Sequence, residues 1–188
     1  MGFGTFYIFL LLSCLNVNGS KLKATPSPTP PLPSTNYTFL TNAYRALHHA
    51  PPLTRSPQIE TSAQNWADQL STLCILQHTG DNGLGENLFS SSSLVVNWPS
   101  AITRWYNEIM QYKFTATPWI TNGGNFNNIG HATQLLWVSS SFIGCAFSIS
   151  HQVKSAICPH AFAVYVCQYS AEGNVGTDAE FFYNVLPQ

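Results

Sequence analysis

In Val164-Tyr165-Val166-Cys167-Gln168-Tyr169, two interleaved sets of side chains alternate with the period of two that marks a β-strand: Tyr165, Cys167 and Tyr169 against Val164, Val166 and Gln168. Apolar residues fill both sets at its centre, which predicts a strand sandwiched between helices with neither face open to water. A second alternating run precedes it, with Ile143, Cys145, Phe147 and Ile149 facing one way and Gly144, Ala146, Ser148 and Ser150 the other. Earlier in the chain the period changes to that of a helix. Leu40, Ala43, Tyr44 and Leu47 form one apolar stripe, Ile59, Ala63, Trp66, Ala67 and Leu70 a second, and Ile102, Trp105, Tyr106 and Ile109 a third. Ser56-Pro57 and the run from Asn97 to Ser100 supply cap-then-proline start signals. Helices first and strands later predict an α+β domain.

The chain has 188 residues, 45% of them hydrophobic and 13% aromatic, enough for one well-cored domain. Only 8% are charged, against roughly 25% in ordinary soluble domains, so each carboxylate carries more information than usual. The net charge of -1 supplies no basic field, which excludes nucleic acid as an expected partner. Residues 1–20 read as a signal peptide: the apolar run from Phe3 to Leu15 ends in Val17-Asn18-Gly19-Ser20 and is shorter than the roughly 20 residues a spanning helix needs. Residues 21–35 are rich in Pro, Ser and Thr and read as a linker, which leaves 36–188 as the domain. Asn36-Tyr37-Thr38 at its start is a glycosylation sequon. Removing the leader removes Cys14 and leaves Cys74, Cys145, Cys158 and Cys167, an even set expected to form disulfides in an oxidising compartment. Four cysteines allow three pairings, and spacing alone leaves all three open.

Three stretches carry titratable or polar groups among apolar neighbours: Gly85-Glu86-Asn87-Leu88, Gly130-His131-Ala132-Thr133-Gln134-Leu135-Leu136-Trp137, and the strand run Tyr165-Val166-Cys167-Gln168-Tyr169 continuing to Gly173-Asn174. In this order they resemble the signatures of the CAP superfamily: cysteine-rich secretory proteins, antigen 5 and pathogenesis-related protein 1. Tyr106-Asn107-Glu108-Ile109 and the segment from Ala179 to Pro187 look like the secreted fungal "pathogen related in yeast" subgroup and its pathogenesis-related relatives. The resemblance implies a three-layer α-β-α sandwich around a small, mainly antiparallel sheet, with Cys145 paired to Cys167 and Cys74 to Cys158. It also implies a secreted, extracellular, non-catalytic monomer with a sterol or fatty acid ligand, and a host or cell-surface partner. The family cavity of two histidines and two glutamates falls here on His78, Glu86, Glu108 and His131. Ala132 stands where the family usually carries an aromatic ring beside that cavity.

On a helical wheel Glu108 lies at the rim of the third apolar stripe, from which a carboxylate can lean into a cleft. An inward-facing Glu86 must be hydrogen-bonded or paired with histidine to offset desolvation. His78 and His131 are candidate ligands, through imidazole nitrogen, for zinc or another divalent cation, with the glutamates orienting the rings; no cofactor is obligatory. The incomplete ligand set also admits a metal-dependent hydrolase as the alternative function, although no nucleophile is identifiable. The other reading of the four is a hydrogen-bond network that fixes the walls of a cleft. Between Lys113 and His131 the chain is unusually rich in large apolar groups for a loop, and Trp119, Ile120, Phe126 and Ile129 are the candidate lipid-contacting residues. His48, His49, His151 and His160 are expected to be solvated.

Overall fold

The computed structural model describes residues 36–152 and 154–188; the predicted signal peptide and linker lie outside the described residues. Strand β4 (Ala163–Ser170) is central in a four-stranded sheet of order β1-β3-β4-β2, between β3 (Phe142–Ile149) and β2 (Gly85–Ser91), both antiparallel to it. The two-residue β1 (Thr54–Arg55) pairs in parallel with the outer edge of β3. The sheet is therefore mainly antiparallel, and its central strand is buried along nearly its whole length.

The two sets of β4 side chains serve two cores. Val164 and Val166, with Leu88 and Ala146, pack under Ala63, Ala67 and Leu70 of α2 (Pro57–Leu73), which covers one face alone. Tyr165, Cys167 and Tyr169, with Ile143 and Cys145, face a larger cluster. That cluster is built from α1 (Tyr37–Leu47), α3 (Trp98–Asn107), α5 (Gly130–Leu136) and α6 (Asp178–Asn184). A helix layer on each face gives the α-β-α sandwich. Each fully buried leucine contributes about 1.5–3 kcal/mol by leaving water. Gly144 allows α2 to sit this close: a Cβ there would lie 2.2 Å from the Glu60 amide nitrogen.

The predicted helix starts are present. Ser56 accepts from the Ile59 amide and Asn97 from the Ser100 amide, each with proline in the first helical turn. The buried face of α1 departs from expectation, running through Tyr37, Leu40, Thr41, Tyr44, Arg45 and His48 and leaving Leu47 exposed. Polar groups lie inward because they are satisfied there. Arg45 donates to the carbonyls of Pro51, Leu135, Trp137 and Ser140 at 2.8–3.1 Å. His48, expected in solvent, is buried between the Leu186 carbonyl (2.7 Å) and the Tyr106 hydroxyl (3.0 Å), with Phe114 stacked beside it.

Disulfides join Cys74 to Cys158 and Cys145 to Cys167. The second links directly opposite residues of β3 and β4. Among the described residues, no helix is long and apolar enough to cross a membrane.

Candidate functional site

A cleft of about 750 Å³ opens where the start of β2, the N-terminus of α5 and the turn after α3 meet, and His78, Glu86, Glu108 and His131 all line it. These residues are distant along the chain, and different elements deliver them. Glu86 is the second residue of β2, paired with Gln168 of β4. Glu108 ends α3 and starts a short 3-10 turn (Glu108–Gln111); His131 is the second residue of α5; His78 lies in the connection between α2 and β2.

The four form two matched pairs. His78 Nδ1 lies 2.8 Å from Glu86 Oε1, and His131 Nδ1 lies 2.7 Å from Glu108 Oε1. Glu86, with a side chain only 4% exposed, also accepts from the Thr79 amide and from Gln168 Nε2, so its buried carboxylate is well compensated. His78 is 64% exposed, and its hydrogen bond to Glu86 raises its pKa above the ordinary histidine value against a smaller opposing effect of burial. Glu108 Oε2 accepts from the His131 backbone amide at 2.9 Å. Since α5 has no side-chain cap of its own, this distant carboxylate takes the place of one.

In each pair the carboxylate occupies Nδ1 and leaves Nε2 as the ring nitrogen free to accept, the orientation seen in metal-binding histidines held by a carboxylate. The cleft also takes Asp81 and Glu172 among its lining groups, a charge balance that favours a cation. Among the described residues no three His, Cys, Asp or Glu side chains converge as a metal-ligand set.

The polar residues of the three motifs prove to be the framework of this cleft, a role their types alone did not reveal. Asn87 donates to the His131 carbonyl and to the Tyr169 hydroxyl, Asn174 donates to the Gly130 carbonyl, and Thr133 donates to Asn174. Gln134 is wedged between two glycines: its Oε1 accepts from the Gly173 amide, and a Cβ on Gly85 would lie 2.0 Å from that same oxygen. Ala132 is fully buried in the large core and does not line the cleft, so an aromatic ring is not missing from its wall.

The four candidate lipid-contacting residues do not form one surface. Ile129 is 3% exposed, part of the core. Trp119, in the short helix α4 (Pro118–Thr121), packs on Phe181 and Phe126 at 5.1 and 5.0 Å between ring centres. Phe126 borders the cleft, and Ile120 points outward at 69% exposure. A separate groove of about 390 Å³ lies beside α4, lined by Tyr112, Phe114, Pro118, Phe182, Tyr183 and Leu186 among others. It is the more apolar of the two hollows.

The fold and the ordered motifs agree with the family model described as CAP, cysteine-rich secretory protein family, which matches residues 38–169. The chain belongs to the CAP family. Its CAP domain is 35% identical over 128 residues to human "Cysteine-rich secretory protein 2", covering 63% of this chain and 46% of that protein. It is 36% identical over 148 residues to "Protein PRY2" of Saccharomyces cerevisiae, covering 78% and 39%. Against human "Golgi-associated plant pathogenesis-related protein 1" it is 30% identical over 149 residues, covering 78% and 87%. The chain thus spans less than half the length of the first two relatives. The crystal structure of Na-ASP-1 superposes with a TM-score of 0.59 at 22% identity, covering 79% of this chain and 45% of that one. NaASP2 with Zn2+ gives 0.56 at 24% identity, covering 75% and 80%. Both share the CAP fold.

Proposed function

We propose that this CAP protein is secreted, with its disulfides formed in an oxidising compartment, and that it carries a sterol or fatty acid without performing a chemical step. The observation that carries this reading is the apolar groove between α4 and α6, flanked by the half-exposed rings of Phe114 and Phe182. A ligand hiding about 300 Å² of apolar surface would gain several kcal/mol at roughly 25 cal/mol per Å² before association costs. The likeness to PRY2 supports the reading through the family resemblance. Trp119 and Phe126 act by shaping the adjoining wall, and Ile120 contributes at the rim. The test is binding of labelled sterol and labelled fatty acid to the wild type and to Phe114→Asp, Phe182→Asp and Trp119→Ala. Weakened binding in the first two supports the groove; unchanged binding in both moves the site elsewhere, and no binding to the wild type removes the function.

A second reading concerns the cleft, and the two His–Glu pairs with free Nε2 atoms favour it. There His78 and His131 would hold zinc or another divalent cation, with waters completing the coordination and Glu86 and Glu108 fixing the rings. Bound metal would supply Lewis acidity, the basis of the metal-dependent hydrolase alternative. Zinc retention lost in both His78→Ala and His131→Ala, without chelator-sensitive turnover on an ester and peptide panel, would make the cleft a binding site and no active site. A host or cell-surface partner, acting on the protein as a monomer, completes the proposed role.

A further inference from the structure

A second cleft, also of about 750 Å³, lies between the N-terminal ends of α1 and α2 and strand β3, and shares no lining residue with the His/Glu cleft. We propose that it is the seat of an N-linked glycan carried by Asn36, an inference that rests on the secreted reading above.

Asn36 itself lines this cleft and is exposed. Its Oδ1 accepts from the Phe39 amide at 3.1 Å, capping α1, and among the described residues its Nδ2 has no partner. Among the described residues, the atom that would be modified is therefore free while the cap holds the side chain at the cleft edge. The walls suit a sugar. Phe147, with the edges of Tyr37 and Trp98 that remain exposed, 8% in each, offers ring carbon to the apolar C–H face of a pyranose. Arg55 and Glu60 offer hydrogen-bonding groups to its hydroxyl and N-acetyl edge. Those polar groups are prearranged, since Glu60 accepts from both the Tyr37 hydroxyl and the Arg55 guanidinium.

Thr38 supplies an independent observation. Its hydroxyl is buried and finds no hydrogen-bond partner among the described residues. The hydroxyl has a use before folding, when Asn36-Tyr37-Thr38 is read as an acceptor sequence. In that step the Asn36 amide nitrogen forms a bond to the anomeric carbon of the first N-acetylglucosamine. The donor is a lipid-linked diphosphate oligosaccharide; its anomeric carbon–oxygen bond breaks, releasing the lipid diphosphate and one proton. Folding then lays the first sugars against the aromatic wall.

The full chain is produced through a eukaryotic secretory pathway, with Thr38→Ala to remove the acceptor sequence while keeping the Asn36 cap, and Thr38→Ser to retain both. Peptide mass mapping is expected to find Asn36 glycosylated in the wild type and Thr38→Ser and bare in Thr38→Ala. Nuclear Overhauser contacts are expected between the ring C–H protons of the first sugar and the ring protons of Tyr37, Trp98 or Phe147, and those to Tyr37 and Trp98 are expected to weaken in Phe147→Ala, which removes part of the wall. A chain that reaches the medium with Asn36 bare overturns this proposal alone. A glycosylated chain whose sugars make no contact with those rings overturns the seating. A chain that is never translocated overturns the secreted reading and this proposal with it.

Discussion

The His48 ring donates from Nδ1 to the Leu186 carbonyl at 2.7 Å and accepts at Nε2 from the Tyr106 hydroxyl at 3.0 Å, which fixes the neutral tautomer. Tyr106 in turn accepts from Gln188 Nε2 at 2.7 Å, so one imidazole ties α1 to α3 and to the last described residues. Burial lowers the His48 pKa below the ordinary histidine value, opposed by the Leu186 hydrogen bond.

Because the folded-state pKa of His48 is depressed, the stability it contributes is fully present above the unfolded pKa, near 6.5, and is lost as the pH falls through the folded one. Urea unfolding is expected to show His48→Gln destabilised by about 1–3 kcal/mol at pH 7.5, with the gap to wild type narrowing towards pH 5. A gap that stays constant over this range would show that His48 does not titrate on unfolding.

Gly85→Ala places a methyl group on Gln134 and is expected to cost about 1–3 kcal/mol by overpacking. Gln134→Ala alone also destabilises, by removing the bond to the Gly173 amide. Combining the two should cost less than the sum of the single changes, because the clash disappears with the glutamine. Strict additivity in the double-mutant cycle would mean that the two residues do not press on one another.

Glu108→Gln leaves an amide where two acceptor oxygens now serve the His131 ring and its backbone N–H. Zinc affinity by calorimetric titration is expected to fall about ten- to a hundredfold. Thermal unfolding should register the weakened α5 cap as a loss of about 0.5–2 kcal/mol. An affinity equal to the wild type's would separate the carboxylate from any ligand role of His131.

The two disulfides should differ in worth, since Cys74–Cys158 spans 84 residues and Cys145–Cys167 spans 22. Chain entropy assigns about 4–5 kcal/mol to the first and about 3 kcal/mol to the second. Paired alanine replacements, compared by urea unfolding, check the order. The reverse order would mean that direct pairing across β3 and β4 outweighs loop length.

What was legible in the chain is what local periodicity encodes. Helices α1 to α3 and strands β3 and β4 carry long apolar patterns and, for α2 and α3, explicit caps. The strand β2 escaped because Asn87, which should face water in a simple alternation, is buried and satisfied by the His131 carbonyl and Tyr169. The seven-residue α5 is too short for a stripe, and its cap comes from Glu108, 23 positions away in sequence. His48 looked like a solvated helix end because its cover, Phe114 and Leu186, lies far along the chain. The four cleft residues were found through motif resemblance, while Ile129 is taken up by the core and Trp119 packs partly buried against it, since apolar character serves a core as readily as a ligand.

Arg45 reaches from α1 to α5. Its guanidinium is buried, with its pKa pushed down to about 10 by desolvation, and among the described residues it makes no salt bridge to a carboxylate; its hydrogen bonds go to backbone carbonyls, two of them at the closing end of α5. The histidine helix is thus anchored from behind by a residue that never reaches the cleft. Asp81 and Asn127, on the exposed rim of the cleft, can be exchanged without touching that anchor, whereas shortening Arg45 would remove the hydrogen bonds that hold the closing end of α5.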